Sequence, residues 1–76
     1  MPSGAVSTPP TLLGARIRDL RTARGWSQWT LAKVADTRPN RVSCWETGLH
    51  EPTLPVLARL AAAFGLTVSE LLAGVM

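Results

Sequence analysis

Residues 26–48, which run WSQWTLAKVADTRPNRVSCWETG, contain the signals of two short helices on either side of a tight break. Ser27 can cap a helix over about residues 28–35, whose apolar face holds Leu31, Ala32 and Ala35. Asp36 tolerates the left-handed backbone of a turn, and Pro39 suits the first position of the next helix. The segment therefore predicts two helices held at an angle by a tight turn, with the rest of the chain as their scaffold.

The second of these helices is predicted over residues 39–47. Arg38 marks its boundary because a residue before proline avoids the helical region. The spacing turns three residues toward a core and leaves small polar and basic side chains outside, and Gly48 ends the helix. The inward residues are Val42, Trp45 and Glu46.

Three further helices flank this pair. The first follows Thr11 as a cap, has an apolar stripe of Leu13, Ile17 and Leu20, and ends at Gly25. The fourth is capped by Thr53 and ends at Gly65, with apolar repeats at Leu54, Leu57, Leu60, Ala61 and Phe64. Thr67 and Glu70 form a capping box for a last helix that carries Leu71 and Leu72. No alternating strand pattern occurs, so we expect an all-α fold of five short helices over residues 11–73.

The ends and the composition exclude several classes of protein. Residues 1–10, MPSGAVSTPP, carry no charged side chain and three prolines, which favours a flexible tail and argues against a signal peptide. No apolar run is long enough to span a membrane, so a soluble, cytoplasmic protein is expected. Cys44 and His50 are the only cysteine and histidine, which leaves no disulfide, metal site or catalytic pair. We expect no enzymatic activity and no cofactor.

Charge is distributed unevenly along the chain. The net charge is +3, but residues 16–41 hold seven of the eight cations against Asp19 and Asp36, a local excess of +5. Residues 42–76 hold Arg59 against three glutamates, a local charge of −2. A basic half and an acidic half would orient the domain toward a polyanion, although a solvated helix face that keeps the chain soluble is a competing explanation.

The order and spacing of these landmarks resemble the lambda-repressor-like, Cro/CI-type (XRE) helix-turn-helix domain over about residues 12–72. The matching features are Ser27-Gln28, Leu31-Ala32, Glu46 with Gly48, Pro52, and the segment GLTVS at residues 65–69. The resemblance implies a DNA-binding transcription regulator, most often a repressor, whose recognition helix is residues 39–47. It also implies a homodimer on a near-palindromic site and an ion pair between Arg21 and Glu46. The chain departs from the pattern at Asp36, Arg38 and Trp45, where the family usually has glycine, a small hydroxyl residue and a smaller aliphatic residue.

The residues expected to meet DNA lie mostly on the third helix. They are Gln28, Arg38, Pro39, Asn40, Arg41, Ser43, Cys44 and Thr47. The resemblance puts base contacts at Pro39, Asn40 and Cys44, and of these the Asn40 amide can bond adenine through N6 and N7. Arg38 and Arg41 are expected on phosphate in preference to guanine, because phosphate and sugar receive most protein–DNA hydrogen bonds. The resemblance implies that Gln28 anchors a phosphate and braces the recognition helix.

Several alternatives remain open at this stage. Trp29 either packs on the sugar–phosphate backbone or covers a neighbouring helix. Cys44 is an oxidation-sensitive thiol or a space-filling one. Dimers would form through exposed apolar residues of the last two helices or through residues 73–76. An antitoxin-like module whose main partner is a protein is the rival function, and its interaction segment would be residues 1–10.

Overall fold

The computed structural model describes residues 12–73 and 75. Five helices and no strand occur in this part of the chain: α1 (Leu12–Ala23), α2 (Gln28–Val34), α3 (Pro39–Thr47), α4 (Leu54–Phe64) and α5 (Val68–Leu71). The all-α, five-helix fold expected from the sequence is confirmed. The expected cap at Thr11 and the tail at residues 1–10 lie outside the described residues.

Local chemistry fixes most of the helix ends where the sequence predicted them. The Ser27 hydroxyl accepts a hydrogen bond from the Thr30 N–H at 3.1 Å, which begins α2. Thr67 and Glu70 form the reciprocal bonds of a capping box, 2.8 and 3.0 Å long, at the start of α5. α3 begins after Arg38, which is extended at φ −118° and makes no side-chain cap, as expected for a residue before proline.

One cap and one residue of the apolar repeat differ from expectation at the start of α4. Thr53 precedes α4 in an extended conformation, but its side chain makes no capping hydrogen bond. The sequence predicts Leu54 as part of the apolar repeat of α4, but this residue is 76% exposed. Its position in the first turn of α4 leaves its side chain beyond the edge of the core, whereas Leu57, Leu60 and Phe64 are buried.

One apolar core joins all five helices. It contains the apolar residues predicted to face inward on α2 and α3, together with side chains of α1, α4 and α5. The largest fully buried side chains are Ile17, Leu31, Leu60, Leu71 and Val42. Trp45 of α3 is also part of this core and is 4% exposed.

The crossing of α1 and α3 depends on Gly14. A Cβ atom at this position would lie 2.4 Å from the Trp45 carbonyl oxygen and 2.9 Å from that of Glu46. Because these are backbone atoms of a packed helix, they have little freedom to move away. Gly14 therefore sets how closely α1 approaches α3, and so it positions the helix that carries most of the candidate site.

Candidate nucleic-acid interface

The turn between α2 and α3 fixes the orientation of the second helix relative to the first. Asp36 has φ +58°, which makes it the only non-glycine residue with a positive φ in the described chain. The Thr37 N–H donates to the Ala32 carbonyl at 2.8 Å, which closes the end of α2. Aspartate tolerates this conformation better than most residues, so it can stand where similar domains usually carry glycine.

One half of α3 is anchored in the core and the other half is free. Val42, Trp45 and Glu46 are buried, as predicted. Asn40, Arg41 and Thr47 are exposed, and Pro39, Ser43 and Cys44 are half-buried between the two faces. The side of α3 that faces away from the core therefore carries mostly small side chains. The exposed Arg38 lies just before the N-terminus of this helix.

A buried polar network holds α1, α2 and α3 together. Arg21 donates from Nε to Glu46 Oε2 at 2.6 Å and from Nη2 to Glu46 Oε1 at 2.9 Å. Gln28 donates to the same Oε1 at 3.2 Å, and Arg21 Nη1 donates to the Trp26 carbonyl at 2.8 Å. The pair expected from the resemblance is therefore present, and it also includes the first residue of α2.

The environment of this network is largely dry. The side chains of Arg21 and Glu46 are 12% and 4% exposed. The hydrogen bonds to Glu46 raise the pKa of Arg21, burial opposes the shift, and the attraction of the carboxylate adds to it. A buried ion pair of this kind fixes geometry more than it adds net stability, and here the fixed geometry is that of α3.

Two arginines from the basic half have structural roles that the sequence did not reveal. Arg16 donates to the Leu71 and Glu70 carbonyls at 3.1 and 3.0 Å, which ties α1 to α5. Arg24 donates to the Phe64 carbonyl at 2.7 Å, with its guanidinium carbon 4.9 Å from the Phe64 ring centroid. Their targets are carbonyl groups at helix ends, which have no distinctive residue type, so no sequence signal identified them.

The residues expected to contact DNA differ in exposure and in the hydrogen bonds that they already make within the domain. Gln28 is half-buried and has one amide hydrogen bond with Glu46, so it braces α3. The Thr47 hydroxyl donates to the Ser43 carbonyl at 2.9 Å, which leaves it only as an acceptor for another molecule. Cys44 is a half-buried free thiol.

The described residues hold no helix long and apolar enough to cross a membrane. In the same part of the chain, no group of three or more His, Cys, Asp or Glu side chains is placed to hold a metal ion.

The fold and the site together define a lambda-repressor-like helix-turn-helix domain, with α2 and α3 as the motif. The family model described as "Helix-turn-helix domain" matches residues 12–73. The chain belongs to this family of Cro/CI-type DNA-binding transcription regulators, whose fold is not that of an enzyme.

Known proteins of this kind are similar over most of the chain. The restriction-modification controller protein C.AhdI of Aeromonas hydrophila superimposes with a TM-score of 0.77 at 36% identity, over 80% of this chain and 92% of that one. The P22 c2 repressor, solved in complex with a synthetic operator, gives 0.76 at 31% identity, over 84% and 97%. The transcriptional regulator RamB of Mycobacterium tuberculosis is 36% identical over 55 residues, which are 72% of this chain but only 12% of RamB.

Proposed function

We propose that this chain binds double-stranded DNA in a sequence-specific manner and acts as a transcription regulator, specifically a repressor. The observation that carries the proposal is the division of α3 into a buried half and a free half. Val42, Trp45 and Glu46 hold the helix rigidly, so the exposed side chains keep a fixed register. A helix presented in this way matches the dimensions of the major groove.

Within α3 we assign base contact and backbone contact to different residues. Asn40 is exposed and supplies the amide that matches adenine, while Pro39 and Cys44 supply apolar contact for a thymine methyl group. Arg38 and Arg41 are exposed at the flank and are assigned to phosphates. Ser43 and Thr47 complete the surface as hydroxyl contacts.

We further propose that two copies bind a near-palindromic site, with their third helices in successive turns of the major groove, about 34 Å apart. Support comes from the P22 c2 repressor, a similar protein solved on an operator, and from Leu54, an exposed apolar residue at the start of α4. Residues 73–76, the other candidate surface, are only partly described. The rival function as a protein-interaction module relied on residues 1–10, which lie outside the described residues.

The test is a selection of bound duplexes from random DNA at two salt concentrations. A recovered palindrome with half-sites near one helical turn apart would support the proposal. Salt-sensitive binding without sequence preference, or no binding, would contradict it and favour a protein partner.

The same selection tests the role of Asn40. In Asn40→Ala we expect the preference at one position of each half-site to relax, at a cost of about 1–3 kcal/mol for the preferred sequence. Ser69→Ala removes an exposed polar group on α5 and is the matched control, with an unchanged preference expected. Equal weakening of Asn40→Ala on every duplex would refute a base-reading role.

A further inference from the structure

Trp29 is the most prominent side chain on the surface that the proposed function leaves without a role. It lies in the first turn of α2 and is 75% exposed, so it does not cover a neighbouring helix of this chain. The other two tryptophans differ from it, because Trp45 is buried and Trp26 stacks on Phe64 with ring centroids 5.9 Å apart. The exposed indole presents a large, rigid apolar face together with a polar N–H group, which a bound molecule can cover.

A groove of about 320 Å³ runs beside this indole. Its walls come from α2, the turn and the first residue of α3: Trp29, Thr30, Ala32, Lys33, Thr37 and Pro39. Trp29 and Lys33 are one helical turn apart, so they lie on the same face of α2. Pro39 lines the groove and precedes the exposed Asn40 directly, so the groove adjoins the end of α3 that is assigned to DNA.

We propose that this groove, here called the Trp29 groove, receives the sugar–phosphate backbone of a bound DNA strand. The indole packs on the carbon face of a deoxyribose, and the Lys33 ammonium binds an adjacent phosphate. The proposal rests on the proposed function, and it adds a second backbone contact from α2 to the one expected at Gln28 and to the contacts of α3.

The chemistry of the groove favours DNA over a protein segment. Among its described lining residues there is one cation and no carboxylate, and both Trp29 and Lys33 are hydrogen-bond donors only. Phosphate oxygens are acceptors only, and the sugar between them presents C–H groups to an apolar wall. A strand of DNA therefore satisfies the donors and the apolar surface at once, and it continues onto the surface of α3.

The two principal residues should contribute in measurably different ways. Trp29 contributes apolar contact, so Trp29→Ala is expected to weaken binding about tenfold on every duplex, with the same dependence on salt. Lys33 releases a counterion when it meets phosphate, so Lys33→Ala is expected to reduce the slope of log K against log salt by about 0.9 per subunit. Neither change should alter the selected sequence.

The experiment measures binding of a selected duplex across a salt series, together with acrylamide quenching of tryptophan fluorescence. The matched control is Val34→Ala, which removes an exposed apolar side chain from the same helix outside the Trp29 groove. Thermal unfolding of each variant checks that the fold is intact. We expect parallel salt lines for the wild type and Trp29→Ala, an unchanged control, and loss of the quencher-accessible tryptophan when DNA binds.

The outcomes separate this inference from the proposed function. In one outcome the wild type binds DNA, Trp29→Ala binds with the same affinity, and the quencher still reaches the tryptophan in the complex. This outcome would overturn the inference and leave the proposed function standing. Protection of Trp29 by a partner protein but not by DNA would likewise overturn it. Failure of the wild type to bind any duplex would overturn both.

Discussion

Replacing Glu46 with alanine is expected to lower the free energy of unfolding by about 3–5 kcal/mol. The carboxylate accepts three hydrogen bonds, two from Arg21 and one from Gln28. The Arg21 side chain is only 12% exposed in the intact domain, and the substitution leaves its guanidinium with the Trp26 carbonyl as its one remaining partner. A poorly solvated charge without its carboxylate partner dominates this cost.

That loss is large for a domain of this size. Its total stability is roughly 3–10 kcal/mol at typical values per residue. Each kcal/mol corresponds to roughly 4–8 °C in a domain of 60–100 residues, so Glu46→Ala should melt at least about 12 °C below the wild type. Glu46→Gln keeps one acceptor oxygen and nearly the same volume, so its melting temperature should lie between those of Glu46→Ala and the wild type.

The assay is thermal and urea unfolding followed by far-UV circular dichroism. Glu51→Ala is the matched control, because Glu51 is exposed and the described residues offer it no hydrogen bond or ion pair. A double-mutant cycle with Arg21→Met tests the coupling of the two residues. The cost of the double change should differ from the sum of the two single costs by more than about 1 kcal/mol. An unchanged melting temperature for Glu46→Ala, or strictly additive costs, would refute the claim that the pair holds α3 in place.

Three further outcomes are expected. Gly14→Ala should destabilise the fold by more than about 2 kcal/mol, because its Cβ would lie 2.4 Å from the Trp45 carbonyl oxygen; a wild-type urea midpoint would contradict this. Arg41→Ala should weaken binding on all duplexes and flatten its salt dependence, whereas a loss confined to one base position would indicate guanine contact instead. Thr67→Ala should cost about 1 kcal/mol in urea unfolding by removing the bond to the Glu70 N–H, and Thr67→Ser should retain it.

The parts of the fold that could be predicted from sequence are those governed by neighbouring residues. Ser27 and the Thr67–Glu70 pair fix helix starts through bonds that span three residues, so their spacing is visible in the chain. Pro39 fixes the start of α3 by removing an N–H and restricting Arg38. The buried residues of α3 were predictable because a short helix with one apolar face has only that side to turn toward the core.

Contacts between distant residues were predictable only where a resemblance supplied them. Nothing near Gly14 in sequence indicates that the Trp45 carbonyl lies against it, because that contact depends on the crossing of two helices. The ion pair of Arg21 with Glu46 was expected only from the resemblance to similar domains. The same resemblance implies that Gln28 braces α3, but it does not identify the hydrogen bond to Glu46 through which Gln28 does so. The exposure of Leu54 was missed because periodicity assigns a face but not the depth at which a helix begins to pack.

The number of cations in the basic half of the chain is larger than the number available to bind DNA. Arg16, Arg21 and Arg24 lie within the basic half, yet each donates its hydrogen bonds inside the domain. The cations of that half for which the described residues provide no such partner are Arg18, Lys33, Arg38 and Arg41. Three of these four lie on α2 or at the start of α3, which is where the proposed interface needs them. Because only cations that meet phosphate release counterions, the salt dependence of DNA binding should follow this smaller group and not the local excess of +5.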